Sequence, residues 1–525
     1  MHSAGPNSRT KDRLNISHVG PRFGSTKMAA AITRGALTLA VLSALLLIAA
    51  RPAQAQNETV LYSFTGSPDG DGPMSSLTSY GGNLYGTTAS GGTFTSGTVY
   101  ELSPNGSGGW NETTLYSFTG GTDGGIPEFS NVIFDGLGNL YGTALYGGDL
   151  ACNAPYGCGV VFELSPSGSG WVETVLYSFT YRENPYGGLI FDSVGNLYGT
   201  AYTGVFELSP SGAGWTEQVI YGAYQQGGLT MDAAGNIYGE AYGGTYLDGT
   251  VFELSPDGSG GWNPTVIHNF AGYPKDGTSP TGTLVFDKAG NLYGTTYNGG
   301  AKKFGTVYKL SPVTTGTKKG TWTEKVLYSF KGGTKDGASP GAGIVLDSAG
   351  NIYGTTTSYG KYGDGTLYEL AVSGATYKEK ILWSFNGTNG ELPEASLIWD
   401  SAGNLYGTTE SGGSSGNCGG GCGVVFEVNP GAKATSTTLT SAPNPSTSGE
   451  AVTFTAVVTP APPDGETVSF MEGKTVLGTG TLSGGSASFT TSVLPVGTAT
   501  ITAVYGGDLN LDPSTSKALK QVVKK

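Results

Sequence analysis

The chain has 525 residues, of which 90 are glycine and only 13% are charged, and its formal net charge is −13. This composition suits many tight turns between short strands better than it suits helices. The acidic balance disfavours nucleic acid and anionic membrane surfaces as partners, because both select basic patches.

Residues 1–55 are predicted to form a secretory signal peptide with an upstream extension. Arg34 precedes an apolar stretch from Ala36 to Ala50, and Ala53-Gln-Ala55 supplies the small residues of a cleavage site. Met28 is an alternative start that would give a leader of ordinary length. We therefore expect a secreted or cell-surface protein whose mature chain has no membrane-spanning segment.

Residues 56–430 contain a short motif, Asn-Leu-Tyr-Gly-Thr or a close variant, in seven copies. The copies begin at Asn83, Asn139, Asn196, Asn236, Asn291, Asn351 and Asn404. Such a period marks a repeat architecture. Within each copy four short runs rich in β-branched and aromatic residues return in the same order, as in Thr283–Asp287 and the three runs after it. The pattern predicts an all-β fold, a seven-bladed β-propeller with one four-stranded antiparallel blade per repeat.

The two ends of the repeat array predict how the ring closes. Glu58–Phe64 is a strand of the fourth type with no blade before it, and the last repeat stops after its third strand, Val424–Val428. We therefore expect the amino-terminal strand to complete the last blade. This order makes the first strand of each blade innermost. It also places the loops from fourth to first strands and those from second to third strands on one face.

Four cysteines occur as two local pairs. Cys152 and Cys158 lie in one loop between second and third strands, and Cys418 and Cys422 lie in the equivalent loop of another repeat. In an oxidising compartment this arrangement predicts two short-range disulfides. A metal site is the alternative, but neither loop contains a histidine. The sequence indicates no metal and no cofactor.

Residues 431–525 differ from the repeats. They are richer in Thr, Ser and Pro, lack the repeated motif, and contain alternating strands such as Ala451–Val458 and Ala499–Tyr505. A segment of this size with several short strands fits a linker and an immunoglobulin-like β-sandwich. It has no cysteine, so an antibody-like disulfide is not expected.

The repeated motifs support a family resemblance. Units with Gly-Asn-Leu-Tyr-Gly-Thr, Gly-Thr-Val-Phe-Glu-Leu-Ser-Pro and Val-Leu-Tyr-Ser-Phe resemble the GloVer repeats of secreted bacterial proteins, which pair such arrays with varying carboxy-terminal anchoring modules. The tail, with Val468-Ser-Phe-Met-Glu-Gly473 and Ala503-Val-Tyr-Gly-Gly-Asp508, is similar to bacterial Ig-like repeat domains. The resemblance implies a family and a fold, and it carries over no enzymatic site.

The polar residues offer little catalytic chemistry. His268 is the only histidine after the leader, which disfavours histidine-based triads and multi-histidine metal sites, and we expect it to be a strand residue. An Asp opens the turn Asp-x-x-Gly-Asn in six repeats and is expected to bind backbone N–H groups there. These turn residues are Asp135, Asp192, Asp232, Asp287, Asp347 and Asp400.

The non-repeated loop residues are the candidates for function. Tyrosines beside carboxylates suit sugar rings, which stack on aromatic faces and form hydrogen bonds to polar groups. The candidate ligand-binding residues are Tyr146, Tyr202, Tyr242, Tyr246, Tyr297, Tyr359, Asp276 and Asp336. The alternative is that these tyrosines only pack between glycine-rich loops.

The sequence favours a secreted, non-catalytic binding or scaffolding protein that recognises an extracellular glycan or protein on this loop face. One alternative is a carboxylate-dependent extracellular glycan hydrolase or lyase. Another is a structural component of the cell surface or matrix. The sequence indicates no oligomeric state.

Overall fold

The computed structural model describes residues 57–525 except Ser169, 181–182, Ala213, 225–226, 432–433, Pro463 and 508–510. The predicted signal peptide lies outside the described residues. Within them the fold is all-β, and the one helical element is a 3-10 turn, Gly316–Lys318. The described part contains no helix long and apolar enough to cross a membrane.

Each of the seven repeats forms an antiparallel sheet built on four strands, which pair in chain order in the first six repeats, whereas the seventh takes its fourth strand from the amino-terminal end. The first strands are Thr78–Tyr80, Ile133–Phe134, Ile190–Phe191, Thr230–Met231, Val285–Phe286, Val345–Leu346 and Ile398–Trp399. The second strands are Asn83–Thr88, Leu140–Ala144, Leu197–Ala201, Ile237–Ala241, Leu292–Gly299, Ile352–Thr356 and Leu405–Thr409. The third strands are Thr98–Pro104, Val160–Ser167, Gly204–Ser211, Thr250–Pro256, Thr306–Pro312, Thr366–Ser373 and Val424–Asn429.

The fourth strands include the amino-terminal strand of the described chain. They are Trp110–Ser117, Gly170–Ser178, Gly214–Tyr221, Trp262–Asn269, Trp322–Ser329, Thr376–Ser384 and, for the seventh sheet, Asn57–Ser63. Asn57–Ser63 pairs antiparallel with Val424–Asn429, with Glu58 opposite Val428 and Ser63 opposite Val424. This is the pairing that the order of the repeated runs predicts.

Three further short strands lie in the loops. Gly277–Pro280 pairs with the extended second strand of the fifth sheet, and Gly337–Ala338 pairs with Ser358–Tyr359. Both pairings join the loop before a first strand to the loop after a second strand. They show that these two loop sets lie together.

The first strands are shorter than the sequence predicts. Thr283–Asp287 was expected to be a strand, but only Val285–Phe286 pairs with the second strand. The residues before Val285 pack against the equivalent segment of the next repeat instead, since a Cβ on Gly343 would lie 2.7 Å from the Thr283 carbonyl oxygen. We call the few residues directly before each first strand, such as 281–284 in the fifth repeat, the lead-in segment.

The seven sheets form a closed circle. Seven buried clusters each join one sheet to the next, and one of them joins Tyr406 and Val425 of the seventh sheet to Leu84 and Tyr100 of the first. Threonine hydroxyls of the second strands add hydrogen bonds to the next lead-in segment. Thr408 Oγ1, for example, donates to the Ser75 carbonyl across the closure at 3.1 Å.

The six Asp-x-x-Gly-Asn turns are held as predicted. In each, an Asp carboxylate oxygen accepts the backbone N–H of the Asn that follows four residues later. The second oxygen accepts the phenol hydroxyl of the tyrosine in the motif, as between Tyr293 and Asp287 at 3.1 Å. The repeated carboxylate therefore stabilises the turn.

Both predicted disulfides are confirmed. Cys152 is bonded to Cys158 and Cys418 is bonded to Cys422. Each closes a short loop between a second and a third strand. Because the sulfurs are bonded to each other, these pairs offer no free thiolates to a metal.

The carboxy-terminal residues form two further sheets around a separate core. One sheet contains Ser436–Ala442, Val452–Thr459 and Ser486–Thr491. The other contains Ser446–Thr447, Thr467–Glu472, Thr475–Thr481, Gly497–Tyr505, Ser514–Thr515 and Leu519–Lys524. Phe454 and Phe470, one from each sheet, are fully buried in the same apolar cluster.

Candidate functional site

One cavity lies where the lead-in segments of all seven repeats meet. Its volume is about 310 Å³, which is at the small end of the range for ligand sites. One lining residue from each repeat, in chain order, is Ser76, Asn131, Gly188, Gly228, Thr283, Gly343 and Ser396. The closed circle of sheets therefore creates a single central cavity rather than seven equivalent ones.

The cavity wall needs small residues because neighbouring lead-in segments are in close contact. A Cβ on Gly343 would lie 2.7 Å from the Ser396 hydroxyl, and a Cβ on Gly188 would overlap the Asn131 amide. The Gly187-Gly188 and Gly227-Gly228 pairs of the third and fourth repeats likewise allow this close packing. They also leave backbone polar groups near the cavity, where side chains would otherwise cover them.

A row of aromatic rings lies on one side of the site. We call it the tyrosine arc; it consists of Phe129, Tyr186, Tyr202, Tyr224 and Tyr242. Successive ring centroids are 5.1, 5.7, 5.4 and 5.2 Å apart. Phe129, Tyr186 and Tyr242 also line the cavity. Tyr202 and Tyr242 are each 37% exposed, so the arc presents aromatic surface to a ligand.

Three glutamates lie close together near the arc, since burial and the charges of Glu128 and Glu394 raise the pKa of Tyr186. We call Glu128, Glu394 and Glu410 the acidic group. Burial raises the pKa of the Glu394 carboxyl to about 7, and the charges of Glu410 and Glu128 act in the same direction. Burial, and then the Glu410 charge, raises the pKa of Glu128. Glu394 lines the cavity itself.

Glu240 is a single exception among the seven second strands. The other six have threonine at this position, as in Thr295 and Thr408. Glu240 is 1% exposed; its Oε2 accepts the Gly282 N–H at 2.8 Å and its Oε1 accepts the Tyr308 hydroxyl. Burial raises the pKa of this carboxyl to about 8. It holds the lead-in segment of the fifth repeat in the cavity wall.

The repeated sequence also matches a known family. The signature of the Gloeobacter/Verrucomicrobia repeat covers residues 49–221 and 316–482, which together are more than half of the chain. The chain belongs to this family. No curated protein matches the chain.

Solved structures resemble this Gloeobacter/Verrucomicrobia repeat protein at low identity. An extracellular domain assigned to a hybrid two component system of B. thetaiotaomicron is 12% identical over 90% of this chain, with a TM-score of 0.41. The match covers 60% of that domain, so this chain spans less than two thirds of its length. A PL25 ulvan lyase is 10% identical over 70% of this chain and 95% of its own, with a TM-score of 0.42. Neither likeness assigns an activity.

The structure brings some of the candidate tyrosines of this repeat protein together. Tyr242 and Tyr297 line the cavity, and Tyr202 belongs to the tyrosine arc. Tyr146 packs on Tyr156, with ring centroids 5.7 Å apart.

Two other candidate tyrosines lie apart from the cavity lining. Tyr359 packs edge-on against Phe304 in a loop sheet, with ring centroids 5.2 Å apart. Tyr246 is 59% exposed. Neither residue is among those that line the cavity.

Asp276 and Asp336 hold loops together and do not line the cavity. Asp276 accepts the backbone N–H groups of Ala271 and Gly277, and His268 Nε2 lies 3.3 Å from its Oδ2. Asp336 accepts the backbone N–H of Gly337 at 2.8 Å. Their carboxylates are turned toward their own loop, because each must satisfy backbone donors that the tight turn leaves unpaired.

Sequence reasoning missed the acidic group, Tyr186, Tyr224 and Glu240. Glu240 had a signal, since it replaces the threonine of the repeated motif. Tyr186 and Glu394 stand in lead-in segments of unequal sequence, where only closure of the circle places them side by side. The repeat pattern alone does not identify them.

Proposed function

We propose that the seven sheets are the blades of a seven-bladed β-propeller closed by the amino-terminal strand, and that residues 431–525 form a linker and an Ig-like β-sandwich. We propose further that the protein is secreted and acts as a non-catalytic binding protein. Its ligand is an extracellular glycan, held at the central cavity on the loop face. The Ig-like module would serve as the anchoring or spacing part of the chain.

The observation that carries this proposal is the pairing of one central cavity with the tyrosine arc. A pyranose ring has an apolar C–H face that stacks on aromatic rings and a polar edge that needs hydrogen-bonding groups. Tyr242 and Tyr297 offer the first, and Asn131, Ser396 and Glu394 offer the second. A protein ligand would require a larger continuous surface than this cavity provides.

A carboxylate-dependent glycan hydrolase or lyase is the second candidate. It is favoured by Glu394, because a carboxyl with a pKa raised to about 7 by burial is suited to proton transfer near neutral pH. Neighbouring Glu128 and Glu410 would supply a second carboxylate. A purely structural surface component would need neither the cavity nor the exposed arc.

A screen on plant, fungal and bacterial glycans tests the proposal. The protein without its leader is measured for both retention and cleavage, and the Tyr242→Ala variant is the matched control. Retention without cleavage, weakened in the variant, is expected. Release of sugar products that stops in the Glu394→Gln variant would establish the enzyme instead, and neither retention nor cleavage of any glycan would contradict both.

A further inference from the structure

The central cavity combines aromatic rings with a carboxylate. The tyrosine arc and Tyr297 come from the second to fifth repeats, Glu394 and Glu410 come from the seventh, and Glu128 directly precedes Phe129 of the arc. Tyr242, Tyr297 and Glu394 line the same cavity, so one bound ligand can contact all three. The aromatic rings and the carboxylate would recognise different parts of that ligand.

The charge of the cavity lining has one sign. Among the described residues that line the cavity, Glu394 is the only one with a carboxyl side chain, and none is lysine or arginine. Just beyond it Glu128 and Glu410 add negative charge, and Glu391 and Asp71 lie near enough to Glu410 to raise its pKa. An anionic sugar such as a uronic acid would be repelled here, and a neutral sugar would leave the carboxylates without a charged partner.

We propose that the central cavity binds a glycan with free amino groups, such as a glucosamine oligomer, with the sugar face on the tyrosine arc and the protonated amine beside Glu394. This ligand class rests on the proposed glycan-binding function and narrows it. The two observations behind it are independent, since the arc favours an apolar ring face and the carboxylate of Glu394 favours a cation. An amino sugar carries both on one ring.

The acidic group then has a defined response to binding. Without ligand, the three neighbouring carboxyls hold protons more tightly than an isolated glutamate does. A protonated amine placed beside Glu394 favours its carboxylate form, so the carboxyl releases its proton to solvent as the ion pair forms. Binding of a neutral sugar would release no proton from this group.

Isothermal titration with four hexasaccharide probes tests the proposal. The probes are hexaglucosamine, its fully N-acetylated form, cellohexaose and hexagalacturonate, each at about pH 6.5 in two buffers of different ionisation enthalpy. We expect hexaglucosamine to bind about two- to fivefold more tightly than the N-acetylated form and to release protons, because one partly exposed ion pair is worth about that factor.

Three variants assign the effect to residues. Glu394→Gln should remove most of the preference for hexaglucosamine over its N-acetylated form, together with the proton release. Tyr242→Ala should weaken the binding of hexaglucosamine and of its N-acetylated form by the same factor. Glu450→Gln makes the same charge change in the carboxy-terminal region and should have no effect.

Equal affinity for hexaglucosamine and its N-acetylated form would overturn the inference while leaving glycan binding intact. Binding of a hexalysine peptide without binding of hexaglucosamine would overturn the inference in favour of a basic protein partner. Calcium binding that Glu394→Gln abolishes, without any preference for the amino sugar, would overturn it in favour of a cation site. Absence of binding to all four glycans would overturn this inference, and the proposed function would fall only if the wider glycan screen also showed no retention.

Discussion

Raising the pH from about 5 to about 8 should destabilise the folded protein through one repeated glutamate position in the fourth strands. The six residues are Glu58, Glu112, Glu173, Glu217, Glu324 and Glu379. Burial raises the pKa of each carboxyl to about 7. A neighbouring acid acts in the same direction at most of them, as Asp123 does beside Glu173. The fourth sheet has Pro264 at this position instead.

The sign and size follow from proton linkage. These carboxyls titrate near 4.5 when unperturbed, so between about pH 4.5 and 7 the folded chain keeps protons that the unfolded chain has lost. The free energy of unfolding therefore falls as the pH rises through this window, by at most about 1.4 kcal/mol per pH unit for each group. The side chains are only half-buried, so we reduce this to about 0.5–1 kcal/mol per group over the window. Six groups give about 3–6 kcal/mol, or about 4–8 °C in Tm for a unit of this size.

Calorimetric unfolding between about pH 5 and pH 8 measures the effect. The triple variant Glu173→Gln, Glu217→Gln, Glu379→Gln should lose about half of the pH dependence that this position supplies, while Glu240 and Glu394, whose pKa values are also raised, keep their own contribution. Glu450→Gln, an exposed carboxyl in the carboxy-terminal region, should keep the full dependence. A Tm that is constant or rises between these pH values would refute the reasoning, and so would a triple variant with an unchanged slope.

Three further predictions concern the framework. A chain that begins at Gly66 lacks the fourth strand of the seventh sheet, so it should melt well below the chain that retains Asn57–Ser63 and lose cooperativity; equal melting curves would contradict the closure. Reduction of Cys152–Cys158 and Cys418–Cys422 should lower the free energy of unfolding by at most a few kcal/mol without unfolding the sheets, since both loops are short. Peptide mapping that linked the two loops to each other would be inconsistent with the structure. Asp287→Ala should lower the free energy of unfolding by about 1 kcal/mol, because two backbone N–H groups lose their acceptor. An unchanged free energy of unfolding in chemical denaturation would show that the turn does not depend on this carboxylate.

The regular parts of the fold were predictable because equivalent residues make the same contacts in every repeat. The motif around Asn291 fixes a turn through Asp287 and a buried second strand, and the same chemistry recurs in six turns. The amino-terminal pairing was also predictable, since Glu58–Phe64 matched the one strand type that the last repeat lacked. The two disulfides followed from cysteines at equivalent loop positions.

The candidate site was less predictable because it depends on contacts between repeats. Asp276 was expected at the ligand site from its loop, but the sequence does not show that backbone donors occupy its carboxylate. Tyr186 and Glu394 lie in different repeats, more than two hundred residues apart, and come together only around the central cavity. Glu240 could have been found by comparing the seven motifs position by position.

The central claim is that the ligand occupies the central cavity, and the affinities of two matched tyrosine variants test it most directly. Tyr242 lines the cavity, whereas Tyr246, four residues later in the same loop, is more exposed and lies apart from the lining. Titration of the best glycan from the screen should show a loss of about five- to tenfold for Tyr242→Ala, because one aromatic contact is worth about 1 kcal/mol, and no change for Tyr246→Ala. A loss for Tyr246→Ala with full affinity in Tyr242→Ala would contradict binding at the cavity.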